Sequence, residues 1–350
     1  MVPRRPWLAL LLGACTSLPR SDACLNDPAQ VQLLEATIVS SSVALELPTD
    51  LTVVGGYLVV LDAASDSVLH MLDKNNGQVV QSLGRRGRGP GEFLGAWSVE
   101  GSRDMANHVW VYDLSLRRLT LVGLGLANGG EETAARMVRF VDGSIVTGPM
   151  WLDAATLVTP GFFSDVRLAL YDTTGVRITN TGEPPFSPDV LRNAFQLAQA
   201  QLGMSADREH LVLASRYRST LELFDAAARP VGMITGPVRV ADNERSPGTN
   251  RLAYLDVAMT SNEIVALFSG REARAFGPSA SFGRCLHVFG NDGQLRAASK
   301  ANVDLLAITL EPSDGRVYGI IHDPRPAVVA FPWGLSGQPI ALADQRSDPR

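Results

Sequence analysis

The chain has 350 residues, 45% hydrophobic and 19% charged, and a net charge of −5 from 31 Lys+Arg against 36 Asp+Glu. That composition excludes a disordered body, and it offers none of the basic surface that nucleic acid requires. The length admits two ordinary domains or one large all-β domain.

The first residues, "MVPRRP", are cationic and lead into the apolar run "WLALLLGA". Eight apolar residues fall far short of the roughly 20 a membrane span needs, so the segment reads as an export signal. Leu12-Gly13-Ala14 directly before Cys15 has the pattern of a lipobox, whose cysteine is acylated and becomes the mature N-terminus. Two or three acyl chains suffice for stable anchoring. The expectation is a bacterial envelope lipoprotein that meets its membrane through Cys15 alone; the alternative is cleavage after "SDA" and a soluble secreted or periplasmic protein. Cys24 and Cys285 remain for an oxidising compartment, where a disulfide between them is one option. No C-x-x-C spacing points to zinc.

From Pro48 onward the chain becomes short alternating or β-branched runs, "LTVV", "YLVVLD", "SVLHMLD" and "QVVQSLG", separated by "GG", "AASD" and "KNNG". Gly, Asp, Asn and Ser at those positions are turn chemistry. The third run recurs as "LALYDTTGVRITNTG", "LELFDAAARPVGMITG" and "LHVFGNDGQLRAASK", with weaker copies around Leu121 and Phe331. Leu72, Leu121, Tyr171, Phe224, Phe289 and Phe331 are then equivalent, at steps of 49, 50, 53, 65 and 42 residues. One four-stranded sheet cannot bury both its faces, so such units stack around an axis. The repeat predicts an all-β, six-bladed β-propeller over residues 39–335, with 1–15 a signal peptide, 16–38 a tether and closing strand, and 336–350 a tail. The long step holds "REARAFGPSASFGR", an insertion between the second and third strands of blade 5. "SPDVLRNAFQLAQAQLG" is helix-like in its first half and reads as an inner strand in its second.

"SLGRRGRGPGEF", Ser82 to Phe93, looks at first like a phosphate cradle. A phosphate loop needs G-x-x-x-x-G-K-[ST] between strand and helix, and neither the Lys nor the helix is present. The stretch reads as a corner between blades 1 and 2, with Phe93 plugging the gap and Glu92 accepting hydrogen bonds from the turn. "TGEPPF" and "TGPVRV" are eroded copies of it.

"GRRGRGPGEF", "AYLDVAMTSNEIVALFSGRE" and "LHVFGNDGQLRAAS" together resemble the bacterial six-bladed propeller lipoproteins described as TolB-like or NHL-like. The resemblance spans roughly residues 40 to 335 and implies the fold; it implies no reaction. In that family Tyr254, Asp256, Thr260, Ala266, Leu267, Phe268, Ser269, Gly270 and Arg271 fall in the first two strands of blade 5.

Chemistry is sparse. Glu100, Asp256 and Glu311 sit on or at the ends of inner strands, where oxygen ligands would suit calcium at the channel mouth as in lactonase-like propellers; a hydrated channel wall is the plainer reading. His70 and His287 occupy equivalent third-strand positions that point apart, while His108, His210 and His322 fall in second strands at unlike registers. Ser269, Gly270, Arg271 and Arg274 open the longest loop, where function tends to collect. Arg85, Arg86 and Arg88 offer an anion site or a solvated corner; all but two of the 31 cations are arginine, so arginine alone signals little. The expectation is a binding or interaction module for an unknown protein or small molecule, without a cofactor. A calcium-dependent hydrolase or lyase and a structural component of an envelope assembly are the alternatives.

Overall fold

The structure is a computed structural model that describes residues 23–40, 45–125, 136–163, 165–184, 197–240 and 251–332. The segment around Cys15, the first half of the helix-like stretch and the tail 336–350 lie outside those residues. Two strands precede the ring, β1 (Gln32–Leu34) and β2 (Thr37–Ile38). Blade 1 is β3 (Pro48–Val54), β4 (Tyr57–Asp62), β5 (Ser67–Asp73) and β6 (Val79–Arg86), extended by β7 (Glu92–Phe93). Blade 2 is β8 (Ala96–Gly101), β9 (His108–Asp113), β10 (Arg118–Gly123) and β11 (Arg136–Arg139). Blade 3 is β12 (Met150–Trp151), β13 (Thr156–Pro160), β14 (Leu168–Asp172) and β15 (Arg177–Thr181). Blade 4 is β16 (Ala200–Met204), β17 (His210–Ser215), β18 (Thr220–Asp225) and β19 (Pro230–Thr235). Blade 5 is β20 (Tyr254–Met259), β21 (Glu263–Phe268), β22 (Gly283–Gly290) and β23 (Leu295–Leu305), and blade 6 is β24 (Ile308–Glu311), β25 (Arg316–Ile321) and β26 (Ala327–Pro332).

Burial follows radius. Second strands read almost continuously buried, as in Leu58–Asp62 and Ile264–Phe268, because a neighbouring blade covers each face. Outermost strands are largely exposed, as in β15 and β19. The six third-strand positions taken as equivalent, from Leu72 to Phe331, are all buried. The second half of the helix-like stretch is the inner strand β16, as its sequence predicts.

The N-terminal segment closes the ring. β2 pairs antiparallel with β26 as the fourth strand of blade 6, and β24 contacts β3 to join the last blade to the first. The same segment also lays β1 parallel to β23, giving blade 5 a fifth strand that the repeat does not announce. Cys24 is bridged to Cys285 in β22, pinning the start of this segment to blade 5.

Each blade begins at its inner strand. Loops that follow inner strands therefore gather on one face of the ring, called lower here, and loops that follow second strands gather on the upper face.

Candidate functional site

The inner strands enclose a cavity of about 570 Å³ along the axis. Its wall is uneven, because β12 has only two residues and is preceded by Gly148-Pro149. Through that thin place the cavity reaches sideways to Trp110 and Leu119, in the second and third strands of blade 2. Trp97, the second residue of β8, lines the upper part and is 50% exposed.

Two aspartates face this cavity from equivalent positions. Asp50 follows a bulge in β3; its Oδ1 accepts from the Leu51 N–H at 2.9 Å and its Oδ2 from Val99 N–H of blade 2 at 2.8 Å. Asp256 follows a bulge in β20 and accepts from Val257 N–H at 2.8 Å and from Ile308 N–H of blade 6 at 2.7 Å. Each carboxylate thus bonds the inner strand of the next blade. Burial in the wall, then the charge of Asp256, pushes the Asp50 carboxyl up to about 8. Burial raises Asp256 to about 7. Glu100 is raised to about 7 by burial, against the pull of Arg103 and Arg208.

Of the three carboxylates expected from sequence, all border the cavity, but their side chains have different employment. Asp256 is a blade latch. Glu100 faces Arg103 at 3.7 Å. Glu311 turns to its own loop, accepting from Ser313 N–H at 3.0 Å, and lies 3.8 Å from Lys74 of blade 1. Among the described residues no group of three His, Cys, Asp or Glu is placed to hold a metal ion. Asp50 is the carboxylate that the sequence pattern did not bring forward; "PTDLTVV" set against "AYLDVAM" carries the same aspartate before an alternating strand.

The lower side is tied across. Arg103, in the loop after β8, donates to the carbonyls of Ser205 at 2.5 Å and Met204 at 3.1 Å, spanning from blade 2 to blade 4 past the short inner strand of blade 3. Asp104 and Arg208 pair beside it at 2.8 Å.

Known proteins share this architecture. Residues 29–302 match the family described as TolB-like 6-blade propeller-like. The chain belongs to that family. No curated protein matches. Among solved structures, a protein of Bacteroides fragilis described as exported is 11% identical, covering 85% of this chain and 94% of its own, with a TM-score of 0.56. A member of the DUF4221 family from Bacteroides vulgatus is 9% identical, covering 87% and 96%, with a TM-score of 0.58. At such identities the likeness speaks for the fold alone.

In this TolB-like propeller the loop residues singled out from sequence are mostly engaged in the loop itself. Ser269 Oγ donates to Ala280 O at 2.8 Å, and Arg271, 4% exposed, donates to Ser279 O at 3.0 Å and to Asp304 Oδ1 at 2.5 Å. They fix the insertion that carries α1 (Ala273–Phe276), and only Arg274 of this set is exposed. At the corner, Arg85 pairs with Glu92 at 2.8 Å and Arg86 donates to Ala63 O at 2.7 Å. Arg88 is exposed. Glu92 Oε2 accepts from Gly89 N–H at 2.7 Å, and Phe93 is 1% exposed within a cluster shared by blades 1 and 2. One register needs correcting: His108 and His210 each open a second strand five residues before its end, so they are equivalent after all, on blades 2 and 4. His287 is buried, bonded to Cys24 O at 2.8 Å and Tyr254 Oη at 3.2 Å, and burial lowers it to about 4.

Proposed function

We propose that the protein is an envelope-anchored binding module that takes a small molecule or a protein ligand at the upper mouth of its central channel. One observation carries this reading: a half-exposed tryptophan, Trp97, stands over a cavity of about 570 Å³ whose wall holds Asp50, Glu100 and Asp256. An aromatic face beside a few convergent polar groups, on a rigid ring, is the ordinary make-up of a ligand site. The envelope address is supported by the export signal, by Cys15 in its lipobox setting and by the Cys24–Cys285 bridge, which belongs to an oxidising compartment. Among the described residues no helix is long and apolar enough to cross a membrane.

The test is native mass spectrometry of protein extracted in detergent from its own envelope, with metal analysis in parallel. A co-purifying molecule that is lost from Trp97→Ala but kept by Arg274→Ala supports the channel mouth. The reverse pattern moves the site to the loop rim. Stoichiometric calcium with a raised Tm would favour the calcium-dependent hydrolase instead. Cys15→Ala should release the protein from membranes; unchanged sedimentation counts against the anchor.

A further inference from the structure

We propose that the upper channel mouth takes a small organic anion, its carboxylate held by Arg216 and its apolar body laid across blade 3 onto Trp97. This rests on the channel-mouth reading above and deepens it by naming the chemical class of the ligand. Two features of the mouth carry it: a cation without a counter-charge, and an apolar floor between that cation and the exposed indole.

Arg216 directly follows β17, the second strand of blade 4, so it stands on the upper face, where it lines the cavity. Its Nη2 donates to Ser281 Oγ at 2.9 Å, and Tyr217 is its other side-chain partner. Ser281 lies in the insertion of blade 5 on the same face, so the insertion aims the guanidinium. Among the described residues no carboxylate pairs with Arg216. A guanidinium has five N–H donors, and donors therefore remain for a ligand. The other charged residues that line the cavity are already engaged. Asp50 and Asp256 each give both oxygens to backbone N–H groups. Arg103 bonds the carbonyl of Ser205 and faces Glu100, while Glu311 turns to Ser313 and Lys74. Burial that raises Asp50 to about 8 and Asp256 to about 7 also keeps much of their negative charge off the mouth at neutral pH. Burial lowers Arg216 from its usual value, yet an arginine stays charged at physiological pH. A desolvated cation without a counter-charge costs free energy that a bound anion recovers. A carboxylate matches the planar fork of a guanidinium.

The floor comes from blade 3, which stands between blades 2 and 4 and whose inner strand β12 has only two residues. Gly148, Pro149 and Met150 border the cavity there, a stretch with no ionisable side chain. Trp97 stands beyond it on β8 of blade 2, with half of its surface open. A ligand that reaches from Arg216 to Trp97 therefore crosses an apolar floor and ends on an aromatic face. An indole carries a flat apolar body well, through a large contact area and offset stacking. The reverse charge is disfavoured: an ammonium group would meet Arg216 at the mouth, while Asp50 and Asp256 are bonded to the backbone.

The test is isothermal titration calorimetry of full-length, detergent-extracted protein, corrected for a micelle blank, with naphthoate, its neutral amide and naphthylmethylammonium. At neutral pH naphthoate should bind about tenfold more tightly than the amide, the difference a hydrogen-bonded charge makes, and the ammonium should bind least. Arg216→Gln should bind naphthoate and amide alike, and Arg216→Lys, which keeps the charge without the fork, should retain part of the preference. Trp97→Ala should weaken both by the same factor. Ser281→Ala leaves Arg216 in place and removes the bond that aims it; the preference should shrink without vanishing, which serves where Arg216→Gln does not fold. A naphthoate preference that survives Arg216→Gln, or an ammonium that binds more tightly than naphthoate, overturns the anion site. Equal binding of naphthoate and amide, both weakened by Trp97→Ala, overturns it and leaves the channel mouth standing. Wild-type protein that takes up none of the three overturns it as well, and the co-purified molecule then decides the mouth separately.

Discussion

Two blade junctions in this ring are each held by a buried arginine at the start of a third strand, and they hold it by opposite means. Arg118, the first residue of β10, reaches back to the corner between blades 1 and 2 and donates to the carbonyls of Arg88 at 3.1 Å, Gly89 at 2.8 Å and Glu92. Arg167, just before β14, reaches forward from blade 3 to blade 4. It meets Glu222 through Nε at 2.8 Å and Nη2 at 2.8 Å, and adds Ala198 O and Ser215 Oγ, each at 3.1 Å. They are 1% and 2% exposed. The first cation is met through Nη1 and Nη2 by backbone dipoles of a glycine-rich turn, its buried Nε having no hydrogen-bond partner among the described residues, and the second by a counter-charge. A corner motif is needed only where the backbone itself supplies the acceptors. That explains why "GRRGRGPGEF" is conspicuous at one junction while the other looks eroded.

The largest effect should come from leaving the second arginine without its partner. Glu222→Ala strands a buried guanidinium, and breaking such a pair costs about 3–5 kcal/mol; chemical denaturation should show a large fall in midpoint, with Glu222→Gln intermediate. Arg118→Ala removes a donor and leaves carbonyls that face a partly exposed corner, where water can reach them. A loss of about 2 kcal/mol is expected there, within the range for hydrogen bonds to a charged group. If Arg118→Ala proves as costly as Glu222→Ala, the distinction between dipole and counter-charge falls.

Next in size is the turn itself. Gly84 has φ +68, and a Cβ there would stand 3.0 Å from the Phe93 ring; at Gly87 it would stand 2.0 Å from Glu92 Oε2. Gly84→Ala should cost about 1–2 kcal/mol through the left-handed backbone, read as a lower Tm. Gly232, within the outermost strand β19 of blade 4 and away from both junctions, offers a control: an added methyl there would meet only Leu223 Cδ1, at 3.8 Å, and Gly232→Ala should be neutral or slightly stabilising.

Much of this arrangement is legible in the sequence, and the limits are physical. Strand alternation and turn residues are local, so the six third strands and the blade 1 corner can be read directly. The two-residue β12, the lower tie from Arg103 and the extra strand β1 depend on partners far along the chain. Arg118 and Arg103 bond backbone carbonyls, which carry no residue identity and leave no mark in a sequence. Ser269 and Arg271 mislead for a related reason: they have the composition of a site, yet Ala280 O, Ser279 O and Asp304 occupy them. Asp50 had a visible counterpart in Asp256, but first strands diverge too far for the match to announce itself.

Asp50 gives the smallest and sharpest test of the contrast, because its bond to Val99 holds the same blade 1–2 junction from the inner side. Its carboxyl, raised to about 8 by burial and Asp256, keeps a proton in the ring that the unfolded chain, with an ordinary value of 3.8, has already released. The folded state therefore binds more protons between roughly pH 4 and 8, and stability must decline as pH rises through that window. Asp256 and Glu100, raised to about 7, add to the same slope. Asp50→Asn keeps one acceptor and replaces the other with a donor, so near pH 5 it should cost about 1 kcal/mol, one hydrogen bond. Because it cannot ionise, its stability should fall less steeply with pH, and the deficit relative to wild type should shrink toward pH 8. Denaturation midpoints measured from pH 5 to 8 decide it: parallel curves would assign the slope to Glu100 and Asp256 and leave Asp50 a latch that does not titrate.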